Sequence, residues 1–302
     1  MYIGQLDCYE RGAEIAEYLM NVKTNDTAIY RITDKVGRSC ESLVEKEDTR
    51  ESFELEKDEI LYVQCDGSML LTREEGWKEV KLGRLFKSSS LLPENTNRQW
   101  IKESEYVAHF GSHYEFENKM SQLIDDVYRK LPGNVIFIGD GAKWQWNWVK
   151  AEYPEAVCVL DFYHAMEHFG DYIKVAVKGK NNIDKYMQKI GKILKRKGVE
   201  KALKYIMKIP CDTKKKKEKM EKLKVYIENN IDKMDYPKYI RNNYLIGSGA
   251  IESAHRTVLQ RRMKQSGQRW SIEGLKNMIN IRALKMSGYW NKVEEIIYKN
   301  AV

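Results

Sequence analysis

Residues 9–22 place apolar side chains at helical spacing and predict an amphipathic first helix. Thr24, Asn25 and Asp26 then offer caps, and residues 27–37 predict a short second helix stopped by Gly37. With Tyr30, Arg31 and Lys35 exposed, the pair suits a helix-turn-helix reader and, equally well, a helical hairpin packed on a larger domain. Residues 41–58 are acidic and polar and read as a linker, which closes an N-terminal helical region over 1–50. From Glu59 the texture changes to strands. Residues 59–72 form a first apolar run, with Gly67 as a bulge or close-approach point. Residues 77–86 alternate as its antiparallel partner, 87–99 form a polar loop, and 105–111 supply a third strand. A helix over 114–131 ends at Pro132 and Gly133. Short buried strands at 135–140 and 156–161 alternate with helices at 143–153 and 164–177. This order predicts the α/β class: a mixed sheet of three antiparallel and two parallel strands with helices on both faces. Residues 178–243, lysine-rich and broken by Gly179, Gly191, Gly198 and Pro210, read as an all-helical insertion. The domain of 59–177 resumes over 244–302, where Ser271 caps a closing amphipathic helix to Met286.

Composition narrows the setting. Hydrophobic residues make up 42% and charged residues 32% of 302, the balance of a globular chain with a wet surface. No apolar run is long enough for a membrane span, and the first residues lack the order of a secretory signal. Five cysteines without Cys-x-x-Cys spacing argue against a disulfide framework, so a cytoplasmic setting is expected. The formal charge of +8 suits a polyanionic partner. Lys214 to Lys217 read as a solvated helix face. Arg256, Arg261, Arg262, Lys264 and Arg269 cluster after Glu252 and are better placed for phosphate.

Three acids stand out. Asp66 interrupts the first apolar strand, Asp140 closes the fourth strand, and Glu252 lies where a Gly-Ser-Gly turn enters a helix. A carboxylate beside a buried strand is costly unless it pairs, accepts hydrogen bonds or binds a cation. Each also has an ordinary reading: Asp66 as a strand-end turn, Asp140 as a helix cap, Glu252 as a first-turn acid. His255, three residues after Glu252, shares its helix face and could orient it or touch phosphate.

Six segments carry a resemblance: Cys65–Ser68, Trp77–Lys81, Gly139–Ala142, Asp161–His164, Gly247–Glu252 and Arg262–Trp270. In this order the chain resembles the DDE transposases of bacterial insertion sequences, in the Mutator-related branch of ISLre and ISKra types. The resemblance implies an RNase H-like core with Asp66, Asp140 and Glu252 as catalytic acids holding two Mg²⁺ or Mn²⁺ ions. Asp161 competes for the second position. The resemblance instead places Asp161 and His164 in a separate motif that supports the site. It further implies metal-dependent cleavage and strand transfer of double-stranded DNA, at the element's terminal inverted repeats and at a target. A homo-oligomer on DNA, associated with the nucleoid, follows. Arg256, Arg261, Arg262, Lys264 and Arg269 would contact DNA, and Trp270 could lie against DNA or, equally well, pack in the core. The N-terminal region is short for this family.

Two other classes compete. A catalytically silent or domesticated derivative would retain DNA binding alone. His164, Glu167 and His168 match the His-x-x-Glu-His pattern of zinc peptidases, with Glu167 as base and a third ligand still needed. Trp144 and Trp148 read as core; Trp146 could stack on a flipped base, with core the safer reading for all three.

Overall fold

The computed structural model describes residues 1–45, 53–92 and 100–299. The chain forms two compact units, Met1–Val135 with Gly249–Val302, and Ile136–Ser248. These boundaries differ from the expected ones. The N-terminal helices belong to the first unit, and residues 136–177 group with the helical segment that follows them. Part of the expected linker, 46–52, lies outside the described residues.

In the first unit, α1 (Tyr9–Met20) and α2 (Asp26–Glu45) open the chain. Asn25 caps α2 by accepting from the Ala28 N–H at 2.8 Å. Gly37 does not stop α2, which continues another eight residues. A Cβ on Gly37 would meet the Asn277 carbonyl oxygen at 2.6 Å, so the glycine lets two helices approach closely. The strands β1 (Leu61–Thr72) and β2 (Gly76–Lys87) form a hairpin, pairing Asp66 with Leu82 and Gly67 with Lys81. The register is unbroken at Gly67, which is therefore no bulge; Glu79 fills the space its side chain would need. A short ribbon pairs β3 (Leu91–Leu92) with β4 (Trp100–Ile101). Next, β5 (Glu105–Phe110) adds to β2, and α3 (His113–Lys130) begins with its cap Ser112. Through Phe116 and Met120, α3 packs at Gly83 on one face of this antiparallel sheet.

The second unit begins with β6 (Val135–Gly139), α4 (Lys143–Glu152) and β7 (Val157–Leu160). The two strands pair in parallel, as a short crossover helix requires. Five α-helices follow: α5 (Phe162–Ala176), α6 (Lys180–Lys197), α7 (Val199–Ile206), α8 (Lys214–Glu228) and α9 (Tyr236–Arg241). With antiparallel and parallel strands and many helices, the fold class is α/β with mixed strand directions. Trp146 and Trp148 are buried, and Trp144 is half-buried. Trp148 packs edge-on to Phe137.

The chain then returns to the first unit through α10 (Gly249–Ala254), a π-helical segment (His255–Gln260), α11 (Arg261–Met263), α12 (Ile272–Met286) and α13 (Trp290–Lys299). The expected amphipathic helix at the end is in fact central. Along α12 every residue from Leu275 to Leu284 except Lys276 is buried, because α2 covers one side and β5 the other. Leu70, Leu82, Ala108, Val258, Leu275 and Ile279 belong to the core it joins. Among the described residues no helix is long and apolar enough to cross a membrane.

Candidate active site

The side-chain period of a strand is two, so Gln64, Asp66 and Ser68 share one face of β1. That face receives the start of α10. The Gln64 Oε1 accepts from the Ile251 N–H at 2.9 Å, and Arg84 donates to the Ala250 carbonyl at 2.8 Å. Both bonds are buried or half-buried and fix how α10 enters. One turn later the His255 Nε2 lies 3.3 Å from Asp66 Oδ2. The other Asp66 oxygen accepts the Gly67 N–H at 2.7 Å. Asp66 nevertheless keeps 39% of its side chain exposed, whereas His255 keeps 5%. Burial pulls the His255 pKa down to about 4, against the opposing bond to the Asp66 backbone, so the imidazole is neutral at pH 7. Glu252 lies on the same helix, one turn before His255, and is exposed.

The π-helical segment that follows shifts the helical register directly behind Glu252, and π-turns leave carbonyls short of their usual partners. Arg282 supplies the missing donors. Its guanidinium donates to the Thr257 and Val258 carbonyls and, at 2.7 Å, to the carbonyl of Gln5. Burial, then the charges of Arg262 and Arg261, lower its pKa to about 10, so it stays cationic at neutral pH. Sequence reasoning missed Arg282, Gln64 and Arg84. A lone arginine within the apolar run of α12 was the available signal.

The arginine-rich flank divides in two. Arg256, Arg261, Lys264 and Arg269 are exposed, as a phosphate contact requires. Arg262 is not: it is fully buried, donates to the Gly4 carbonyl at 2.8 Å, and lies between the rings of Tyr9 and Trp270. Trp270 is buried too. Its indole N–H donates to the Met263 carbonyl at 3.1 Å, and its backbone bonds to Leu71 and Arg73 beside the end of β1. DNA contact is therefore withdrawn for Arg262 and Trp270, since both side chains are buried inside the fold.

In the second unit, Asp140 is exposed just past β6 and accepts from the Ala142 N–H at 3.1 Å. Asp161 is buried at the start of α5. Its Oδ1 accepts the His164 N–H at 2.6 Å, and its Oδ2 accepts the Ser248 N–H. Because Phe162 also donates to the Ile246 carbonyl at 2.8 Å, Asp161 ties the chain leading toward Glu252 to the end of β7. This gives Asp161 a positioning role. Asp140, Asp161 and Glu167 all act on Tyr226, whose hydroxyl is pushed well above its usual pKa by burial first and by their charges next. His164 Nδ1 lies 3.5 Å from Glu167 Oε2, and His168 stacks on Tyr226 with ring centres 3.6 Å apart.

The structure thus joins Asp66 to His255, and Asp161 to the backbone of His164. Among the described residues no three His, Cys, Asp or Glu side chains are already gathered as a metal-holding group. This covers the carboxylates and the His164–His168 pair alike.

Residues 5–299 match UPF0236, an uncharacterised protein family, and the chain belongs to it. It is similar to a UPF0236 protein of Caldanaerobacter subterraneus subsp. tengcongensis, 28% identical over 254 residues, covering 81% of this chain and 50% of the relative. The name of that relative joins eleven locus designations. It is also similar to the "UPF0236 protein in vanSb 3'region" of Streptococcus gallolyticus, 22% identical over 305 residues, covering 97% of this chain and 62% of the relative. The chain spans less than two thirds of the length of either relative.

Proposed function

We propose that this chain is the catalytic part of a DDE-type DNA transposase with an RNase H-like core, and that Asp66, Asp140 and Glu252 are its three acids. The observation that carries the reading is the His255–Asp66 contact at 3.3 Å, which couples the helix of Glu252 to the strand of Asp66 within one unit. Two acids 186 positions apart in the sequence are thereby tied to one local framework. Eleven loci sharing one protein in the Caldanaerobacter relative add support, since copying of a mobile element produces such multiplicity.

Asp66, Asp140 and Glu252 carry the type of oxygen donor that a hard divalent cation takes. Carboxylate oxygens suit Mg²⁺ or Mn²⁺, and Asp66 remains accessible. The neutral His255 lies beside that carboxylate without adding a positive charge that would compete with the metal. When bound, such a cation supplies Lewis-acid polarisation of a phosphodiester and a more acidic water or hydroxyl nucleophile. The chain's own work is separate. The Gly67 N–H holds Asp66 with His255 packed beside it, Asp161 holds the segment leading to α10, and Arg256, Arg261, Lys264 and Arg269 attract the DNA backbone. Duplex DNA at element ends and target, together with a second copy of the chain, are the proposed partners.

The test is nicking of supercoiled plasmid and joining of a 3′-hydroxyl oligonucleotide in Mn²⁺, with Mn²⁺ binding followed by calorimetry. Asp66→Asn, Asp140→Asn and Glu252→Gln should each lower activity by about 10³-fold or more and weaken Mn²⁺ binding while the fold is kept. Full activity in any one of them removes that acid from the mechanism. Duplex binding with neither cleavage nor Mn²⁺ binding in the unaltered chain would establish the silent derivative instead.

A further inference from the structure

Within the second unit, α6 and α7 meet at Gly198, whose φ of 83° turns the chain back on itself. Their apolar faces, with Ile190 and Leu194 on one helix and Val199, Ala202 and Ile206 on the other, are buried. The outer faces enclose a cleft of about 430 Å³ in which seven of nine lining residues are Lys or Arg and none is acidic. Lys189, Lys192 and Arg196 form one ridge; Lys201, Lys204 and Lys208 form the other. Three lysines elsewhere in this unit are paired: Lys216, Lys219 and Lys233 each lie within 2.8 Å of an aspartate. Among the described residues the cleft cations have no such partner. Seven like charges around one concavity repel one another, and an anion with regularly spaced charges relieves that repulsion.

We propose that the α6–α7 cleft seats the sugar–phosphate backbone of duplex DNA, as a contact surface distinct from the arginines that follow Glu252. The apolar faces of both helices are turned inward and cannot insert into a bilayer, which argues against a lipid surface. The cleft's tyrosine, Tyr205, is half-buried with its ring 5.7 Å from that of Tyr186, so it is no open platform for stacking unpaired bases. The backbone of a duplex is the remaining chemistry. The choice of DNA over RNA rests on the proposed function; the phosphate contact does not.

The experiment measures binding of a fluorescent 30-base-pair DNA duplex by anisotropy in EDTA, across a range of salt. Lys192→Ala, Lys201→Ala and Lys204→Ala are combined in one variant. Lys214→Ala, Lys215→Ala and Lys217→Ala, exposed on α8, are combined in a second with the same charge change. The cleft variant should weaken binding at least tenfold and reduce the slope of log K against log salt by about 2 to 3. The α8 variant should change both little. Equal loss in the two variants would reduce the effect to net charge and overturn the proposal, as would unchanged binding in the cleft variant. Tighter binding of a matched RNA duplex, or of anionic vesicles, would overturn the choice of partner. Repeating the series in an Asp66→Asn background separates this surface from the acids, because the cleft effect should persist there unaltered.

Discussion

The imidazole of His255 and the carboxylate of Asp66 meet at 3.3 Å, yet one is nearly enclosed and the other is partly exposed. The pair therefore works asymmetrically. The buried partner stays neutral, while the carboxylate remains partly accessible. Its pH behaviour follows from the same burial.

The His255 pKa is about 4 in the folded chain and near the ordinary 6.5 when unfolded. Below pH 6.5 the unfolded chain takes up a proton that the folded one refuses. Stability is therefore full above pH 6.5 and falls as pH drops toward 4, by on the order of 3 kcal/mol. Urea unfolding at pH 7.5 and 4.5 should show this loss, and His255→Leu should remove most of the difference. An unaltered pH slope in that variant would disprove the account.

Asp161 accepts from two backbone N–H groups, one capping α5 and one at Ser248. Asp161→Ala should cost about 2–4 kcal/mol in denaturant unfolding, by loss of a cap and of a buried acceptor. Asp161→Asn keeps part of both bonds and should cost less. A stable Asp161→Ala chain that lacks cleavage would transfer the second catalytic position from Asp140 to Asp161.

Arg262 and Arg269 offer a direct contrast on one short stretch. Arg262→Ala empties a buried site between Tyr9 and Trp270 and should lower stability by about 2–4 kcal/mol. Arg269→Ala, on the surface, should leave stability within about 0.5 kcal/mol and reduce the DNA-binding salt slope by about 1. Thermal unfolding and anisotropy together check the pair; a reversed pattern would place the phosphate contact at Arg262.

Gly37→Ala puts a methyl group against the Asn277 backbone. Helix propensity favours alanine, but the clash should prevail and cost about 1–3 kcal/mol. A raised melting temperature would show that α2 and α12 can separate without loss.

The types of most elements were legible before any coordinates. Alternation over 77–86 and continuous apolar runs at 135–140 and 156–161 report strands because side chains on a strand meet core every second residue or at every residue. Ser271 marked a helix start through a local hydrogen bond. Gly37 misled because a glycine at a helix crossing and one at a helix end are the same residue. Arg262 misled likewise, since a guanidinium between two rings carries the letters expected of a DNA contact, whereas the packing alternative for Trp270 held.

What the sequence determined by itself is local: strand and helix periods, caps, the α/β order, and the presence of unusual acids. Tertiary structure alone decided which charges are spent internally. It buried Arg262 and Arg282 against carbonyls, left Arg269 outside, and brought His255 to Asp66 across 189 positions. The reason is that burial and pairing depend on neighbours contributed by distant segments, and no periodicity along a single segment encodes them.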